Sequence, residues 1–366
     1  MKFFNFVAKH WKFILIYPIL ITVLFVISCG FFNFLLVPAK NSSIIESIMI
    51  EMKKEKENID IIFLGSSRTY RGINSYQISN NLDKNVFNIA YEQSSYITSY
   101  YLLNEVCKTN NPEMVCIEVS AANLIREKST EDICAYKTMT GSTKTEFADA
   151  VSLKYKDLYL LNFVNYLENF SNHKFIQNVR LKFMKDYSLY KGLQNNKTTY
   201  YGKGTLLVDK VVSEDKHLAL PLSYGSTEKW EEERVNSMQY DYLLKIIDFC
   251  KEKGIKICLY NPPFPYSVTE EMADVFTGFD EYVEENLLKG KMVYVDFAKT
   301  KKEFVKLIHA YFYDGNHCNK DGAEVMTPII TEVISNIING TYESDDYFYS
   351  TFEEMIADYE QEEEML

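Results

Sequence analysis

Histidine is scarce in this chain, with five among 366 residues. His10 precedes a long apolar run, His173 and His217 fall where regular patterning fails, and His309 follows an apolar helical stretch, which leaves His317 as the natural general base. The seven cysteines form no set. Cys29 lies in the apolar run, Cys116 and Cys258 lie in segments that read as central strands, and Cys107, Cys134, Cys250 and Cys318 have no regular spacing. Neither a disulfide framework nor a zinc site is indicated, so buried free thiols are expected, with no metal and no cofactor. No basic stripe marks a nucleic-acid surface. Internal repeats and low-complexity linkers are also missing, as is a small-residue cleavage site of the A-x-A kind.

Charge is missing altogether from Phe13 to Val37, a run of mostly Ile, Leu, Phe and Val. It exceeds the roughly 20 residues that cross a bilayer, so residues 1–40 read as a cytoplasmic tail and transmembrane anchor. Lys2, Lys9 and Lys12 precede it and Lys40 alone follows closely, a bias that places the start inside the cell and the remainder outside. Val26-Ile27-Ser28-Cys29 resembles a lipobox, but the apolar run continues past it; acylation at Cys29 would equally leave the domain tethered outside. Residues 41–58 read as a stalk, with Ile44, Ile45, Ile48 and Met49 at helical spacing.

The net charge of -12 lies largely in residues 341–366, which from Glu343 onward hold ten acids and no lysine or arginine. This acidic tail reads either as a solvated, partly helical terminus or as a docking segment, because Tyr347, Phe348, Tyr349, Phe352 and Tyr359 interleave with the acids.

Between these ends, residues 59–340 alternate short apolar runs with helical patterns. Strands are expected at Asp60–Leu64, Val86–Ala90, Met114–Val119, Ile255–Tyr260 and Met292–Phe297. Helices are expected near Ser75–Leu82, Ser95–Lys108, Trp230–Lys253, Glu270–Leu288 and Asp321–Ile338. The rhythm implies an α/β fold: a three-layer α/β/α sandwich on a mostly parallel, doubly wound sheet, flavodoxin-like in kind. It fails over about 134–226, where an insertion is expected, with a helix near Leu158–Phe170 and a strand near Gly204–Val212 that shape a substrate groove.

Two short motifs carry the chemistry. Gly65-Ser66-Ser67 follows the first strand run and opens a helix, which would put its hydroxyls at the carboxyl edge of the sheet, where open α/β folds place ligands. Asp314-Gly315-Asn316-His317 precedes the last helix, a spacing that lets the carboxylate reach one imidazole nitrogen while the other faces a serine. Arg68 and Arg71 flank the serine and could hold a phosphate or carboxylate; equally, they could pair with acidic neighbours.

These blocks and their order resemble the SGNH/GDSL hydrolase superfamily, particularly its membrane-anchored DltD-like branch from Gram-positive envelopes. Gly65-Ser66-Ser67 stands where relatives have Gly-Asp-Ser or Gly-Ser-Ser, and Asn319-Lys320-Asp321-Gly322 continues the family's His-x-Asn-x-x-Gly pattern. The resemblance implies Ser67 as nucleophile, His317 as base and Asp314 as its orienting carboxylate. It also implies oxyanion donors at Gln93 and Asn123, but both blocks depart from the pattern. Ala90 and Gln93 replace glycines, and Glu118-Val119-Ser120-Ala121-Ala122-Asn123 is the only counterpart of a Gly-x-Asn-Asp block. Glutamine resists the backbone angles that glycine permits. The implied function is a membrane-tethered extracytoplasmic esterase or acyltransferase acting on O-acetyl or D-alanyl esters of envelope polysaccharide or teichoic acid. The alternative is a weak or inactive partner that binds glycan or escorts a membrane-bound O-acyltransferase.

Overall fold

In the computed structural model the described residues are 13, 16–28, 30–31, 44–126, 132–152, 197–211, 229–288 and 292–364. The chain divides into two compact units, Met1–Ser42 with Leu153–Ser188, and Ser43–Ser152 with Leu189–Leu366. In the first, residues 16–28 are helical and expose their apolar side chains, Ile19, Leu24, Phe25 and Ile27 among them. Among the described residues no helix is long and apolar enough to cross a membrane; the expected anchor, Phe13 to Val37, lies partly outside them.

The second unit is built on five parallel strands. β1 (Ile61–Leu64), β2 (Val86–Asn88) and β3 (Met114–Glu118) come early, and β6 (Lys256–Asn261) and β7 (Val293–Asp296) late, in the spatial order β2-β1-β3-β6-β7. Register pairs Ile61 with both Val86 and Met114, Cys116 with Cys258, and Tyr260 with Val295. Ile61, Phe63, Cys116 and Tyr260 join one buried cluster with Met326, Ile330 and Val333 of α11 (Lys320–Asn339). Their alternates Ile62, Leu64, Val115, Ile117 and Leu259 are equally buried. Strands covered on both faces read as unbroken apolar runs, which is why they were legible.

The first crossover runs outward from β1 to β2 and the next returns past β1 to β3, so the strand order reverses between β1 and β3. That switch point is where such sheets bind ligands. Helix α2 (Ser67–Gly72) leaves β1 there, followed by α3 (Ser75–Leu82), α4 (Tyr96–Val106) and α5 (Ala121–Ile125). α4 packs against α8 (Ser237–Glu252), the other long cover of the sheet.

Several expectations need correction. The helix expected within 41–58 is present as α1 (Ile44–Met52), but not as a stalk: Ile45, Ile48 and Met49 are buried and it packs on α6 (Asp132–Thr138). The helix expected from Trp230 starts at Ser237, capped by Asn236, while Trp230 packs edge-on against Phe279. The helix expected over 270–288 is two, α9 (Tyr266–Glu271) and α10 (Ala273–Asn286).

Over about 134–226, where an insertion was expected, the described elements are the greater part of α6, α7 (Gly141–Ala150) and a hairpin of β4 (Thr198–Gly202) and β5 (Thr205–Val208). The hairpin closes the β2 edge: Asn88 N–H donates to Lys203 O at 2.9 Å. A Cβ at Gly204 (φ +80°) would lie 1.9 Å from Asn88 O, so only glycine fits that approach. The helix expected near Leu158–Phe170 lies outside the described residues.

The acidic tail is partly helical and most of its described acids are exposed, as one of its two readings has it, but its aromatic residues are packed into the fold. Tyr347, Phe348, Tyr349, Phe352 and Met355 are buried, Phe348 bridges Thr300, and Tyr359 of α12 (Phe352–Glu364) stacks on Tyr266 at 4.2 Å. Asp358 is drawn in as well, accepting from Tyr349 OH at 2.6 Å and pairing with Lys302 at 3.1 Å.

Candidate active site

Ser66 ends the β1 turn as the N-cap of α2, its hydroxyl accepting from Arg68 N–H. Ser66 also donates twice to Glu118, from its backbone N–H to Oε2 at 2.6 Å and from its hydroxyl to Oε1 at 2.8 Å. Its polar groups are therefore committed, while the Ser67 hydroxyl lies 2.7 Å from His317 Nε2. The two adjacent serines thus differ in their contacts: the first holds the turn and the second meets the imidazole.

His317 arrives by a tight loop. Phe312 and Cys318 bridge across it, and Asp314 Oδ1 accepts the backbone N–H groups of Asn316 and His317 at 3.1 and 2.9 Å. The same carboxylate meets His317 Nδ1 at 2.9 Å from both oxygens. Burial works to raise the Asp314 pKa, but the imidazole and the two backbone N–H groups outweigh it and hold the carboxyl below its usual range. Asn319 caps α11 and ties Ala310 O and Phe312 O, and a Cβ at Gly322 would lie 2.1 Å from Tyr311 O. The His-x-Asn-x-x-Gly pattern is therefore the mechanical base of the histidine loop.

A second serine–histidine contact, Ser267 Oγ to His309 Nε2 at 2.8 Å, differs in kind. Among the described residues His309 Nδ1 is buried without a hydrogen-bond partner and no carboxylate orients that ring.

Of the expected oxyanion donors, Gln93 has φ +49°, the left-handed conformation that glycine favours, and it is exposed. The glutamine takes the glycine's backbone angle despite its Cβ. The N–H groups of Ser67 and Gln93 donate to no acceptor among the described residues. Asn123, in α5, is buried, and its side-chain amide donates to Glu118 Oε1 at 3.3 Å.

The two arginines separate. Arg68, read either as holding a substrate anion or as pairing with acidic neighbours, is 4% exposed; it donates to Asn261 Oδ1 at 3.0 Å and to Pro262 O, and lies over the Phe264 ring. It clamps α2 to the loop after β6. Arg71 donates to the hydroxyls of Tyr70 and Tyr313 and lies 3.8 Å from Glu92, an acidic partner of the kind expected for it. Burial works against its charge, but Tyr70, Tyr313 and Glu92 more than compensate and raise its pKa.

Glu118 was missed. It is 1% exposed at the end of β3, and besides Ser66 and Asn123 it accepts from Thr69 Oγ1 at 2.6 Å, while Thr69 also meets Tyr260 OH at 2.7 Å. A Cβ at Gly65 would lie 2.5 Å from Glu118 Oε2, which explains the glycine of the first motif. A charged residue closing an otherwise apolar strand run was the available signal, since glutamate is rarely buried without partners. Among the described residues no group of three or more His, Cys, Asp and Glu could hold a metal ion.

Solved structures similar to this chain include a candidate acylhydrolase from Bacteroides fragilis, at 12% identity and TM-score 0.35, covering 80% of this chain and 94% of that one. A GDSL-like lipase from Bacteroides thetaiotaomicron is 9% identical at TM-score 0.34, over 82% of this chain and all of its own. An acetyl xylan esterase from the rumen bacterium Butyrivibrio proteoclasticus is 8% identical at TM-score 0.30, over 78% and 64%. No curated protein matches in sequence. The family model described as protein of unknown function DUF1574 matches residues 37–332, from before Ser67 to beyond His317, and the chain belongs to the DUF1574 family.

Proposed function

We propose that this protein is a serine esterase or acyltransferase of the SGNH kind. The observation that carries the reading is the 2.7 Å contact between Ser67 Oγ and His317 Nε2, with Asp314 on the opposite imidazole nitrogen. Ser67 Oγ attacks the acyl carbonyl carbon as His317 Nε2 takes its proton; Asp314 keeps Nδ1 protonated and the ring oriented. The free N–H groups of Ser67 and Gln93 receive the developing oxyanion. His317 then returns the proton to the departing alcohol oxygen, leaving an acyl-Ser67 ester. Water or a sugar hydroxyl, deprotonated by His317, releases the acyl group by the reverse steps.

The substrate class proposed is acyl esters, O-acetyl or D-alanyl, on envelope polysaccharide or teichoic acid, handled outside the cell by a tethered domain. Its support is the resemblance to DltD-like proteins together with the apolar segment. Residues 16–28 form a helix exposing hydrophobic side chains on all sides, which favours lipid around it. The lysine bias puts the amino terminus in the cytoplasm.

The second reading, a glycan-binding partner or an escort of a membrane-bound O-acyltransferase without turnover, is favoured by the Asn123 amide being engaged by Glu118. Loss of one oxyanion donor costs about 10² to 10³ in rate. Release of acetate or D-alanine from acylated envelope polymer by the full chain separates the two. Turnover that disappears in Ser67→Ala supports the enzyme; polymer binding without release, unchanged in Ser67→Ala, supports the partner.

A further inference from the structure

Three chain segments meet at the site, and one side chain touches all of them. Arg71 lies in α2, four residues after Ser67. Its Nη1 donates to Tyr313 OH, and the Tyr313 ring stacks on the His317 imidazole, with centroids 5.2 Å apart and planes 11° from parallel. Its Nη2 donates to Tyr70 OH at 3.3 Å and faces Glu92 Oε2 at 3.8 Å, while Tyr70 OH donates to that same Glu92 oxygen at 2.5 Å. The guanidinium also lies over both rings, 5.3 Å from Tyr70 and 4.9 Å from Tyr313. Glu92 immediately precedes Gln93, the residue at φ +49°.

An L-residue with a long side chain resists that conformation, and such strain persists only where the surroundings over-determine it. Glu92, next to Gln93 in the chain, is held by Tyr70 and Arg71, both from α2, while on its other side the Tyr91 N–H donates to Gly65 O at 3.2 Å. Tyr70, 3% exposed, fixes the geometry of the α2 contacts.

We propose that Arg71 is a positioning residue: with Tyr70 it holds the Glu92–Gln93 turn in its left-handed form, and through Tyr313 it sets the plane of His317. The inference rests on the esterase reading for its catalytic consequence and on geometry alone for the clamp. One hub thereby aligns base and oxyanion donor with the helix bearing the nucleophile. It also explains how glutamine can stand where glycine would be easier.

The test is a double-mutant cycle on the full chain, with Tyr70→Phe, Arg71→Met and Gln93→Gly. Two quantities are read: melting temperature and the rate constant for modification by a fluorophosphonate. Gln93→Gly removes the strain the clamp opposes, so the expected result is coupling. Tyr70→Phe lowers the rate about tenfold in the native background and about threefold or less beside Gln93→Gly, a range set by ordinary coupling between contacting residues. Arg71→Met is rescued only in part, because its effect through Tyr313 on His317 persists. The melting-temperature loss in Tyr70→Phe also shrinks by about 2 °C or more beside Gln93→Gly. Additive shifts in melting temperature and independent factors in rate would overturn the clamp. If the native chain is inert to the phosphonate, the esterase reading falls, and the melting-temperature cycle still decides the clamp by itself.

Discussion

Two buried carboxylates end strands of the same sheet and are treated in opposite ways. Glu118, closing β3, receives donors at both oxygens, from Ser66, Thr69 and Asn123. Asp296, closing β7, accepts at Oδ1 from Asn261 and the Ala298 N–H but has no hydrogen-bond partner at Oδ2 among the described residues. Burial, reinforced by Asp280, pushes its pKa up to about 8, although Lys299 pairs with Asp280 nearby at 2.8 Å. Donors converge where the β1 turn must be rigid to present Ser67. At the far edge Asp296 reaches α2 only through Asn261, whose Oδ1 accepts from Arg68, and burial favours the neutral carboxyl where Glu118 has donors instead.

The sharpest way to break this contrast is to compare rates at the two edges. Ser67→Ala and His317→Ala are each expected to lower esterase turnover about 10⁴-fold or more, while Asp296→Asn changes it less than about threefold. Comparable losses at both edges would erase the distinction.

Asp314→Asn is expected to cost about 10³ to 10⁴ in kcat by leaving the wrong imidazole tautomer. Because the Asp314 carboxyl is held low in the folded chain, its contribution to stability is fully present above the ordinary carboxylate pKa near ~4. That contribution vanishes as pH falls through the lowered value. Acid unfolding followed by circular dichroism should therefore become less steep in the variant, and an unchanged acid limb would contradict the assignment.

Glu118→Ala strands several buried donors and is expected to destabilise the fold by about 3 kcal/mol, read by urea unfolding. Glu118→Gln, which still accepts at one oxygen, should cost less. A loss below about 0.5 kcal/mol would show that the donors have other partners.

The smallest effect expected is at Asp296, and its sign is opposite. Its folded pKa lies above the unfolded value, so the native state binds more protons between about pH 4 and about 8, and stability falls as pH rises through that window. Asp296→Asn should flatten this slope and gain about 1 kcal/mol at the alkaline end. A slope equal to the parent's would mean that Asp296 is ionised in the native fold.

The strands and the histidine motif were legible because their signals are local. A parallel strand buried on both faces is an unbroken apolar run, and Asp314 meets His317 within one turn of chain. The serine and histidine could be linked only by motif order, since 250 residues separate them. What escaped was contact over distance. The spacing of Ile44, Ile45, Ile48 and Met49 announced a helix with an apolar face, but it could not say that the face packs on α6. Glu118 reaches Ser66 across 52 positions, and Arg68 reaches Asn261 across 193. The helix and exposed acids of the tail were legible, but not that Tyr347, Phe348, Tyr349 and Phe352 pack into the fold.

The central claim is that Ser67, and not its neighbour Ser66, is the nucleophile driven by His317. Mapping a fluorophosphonate adduct by mass spectrometry tests it most directly. The account predicts a single adduct on Ser67, absent from Ser67→Ala and retained in Asp296→Asn. An adduct on Ser66, or equal labelling after Ser67→Ala, would contradict it.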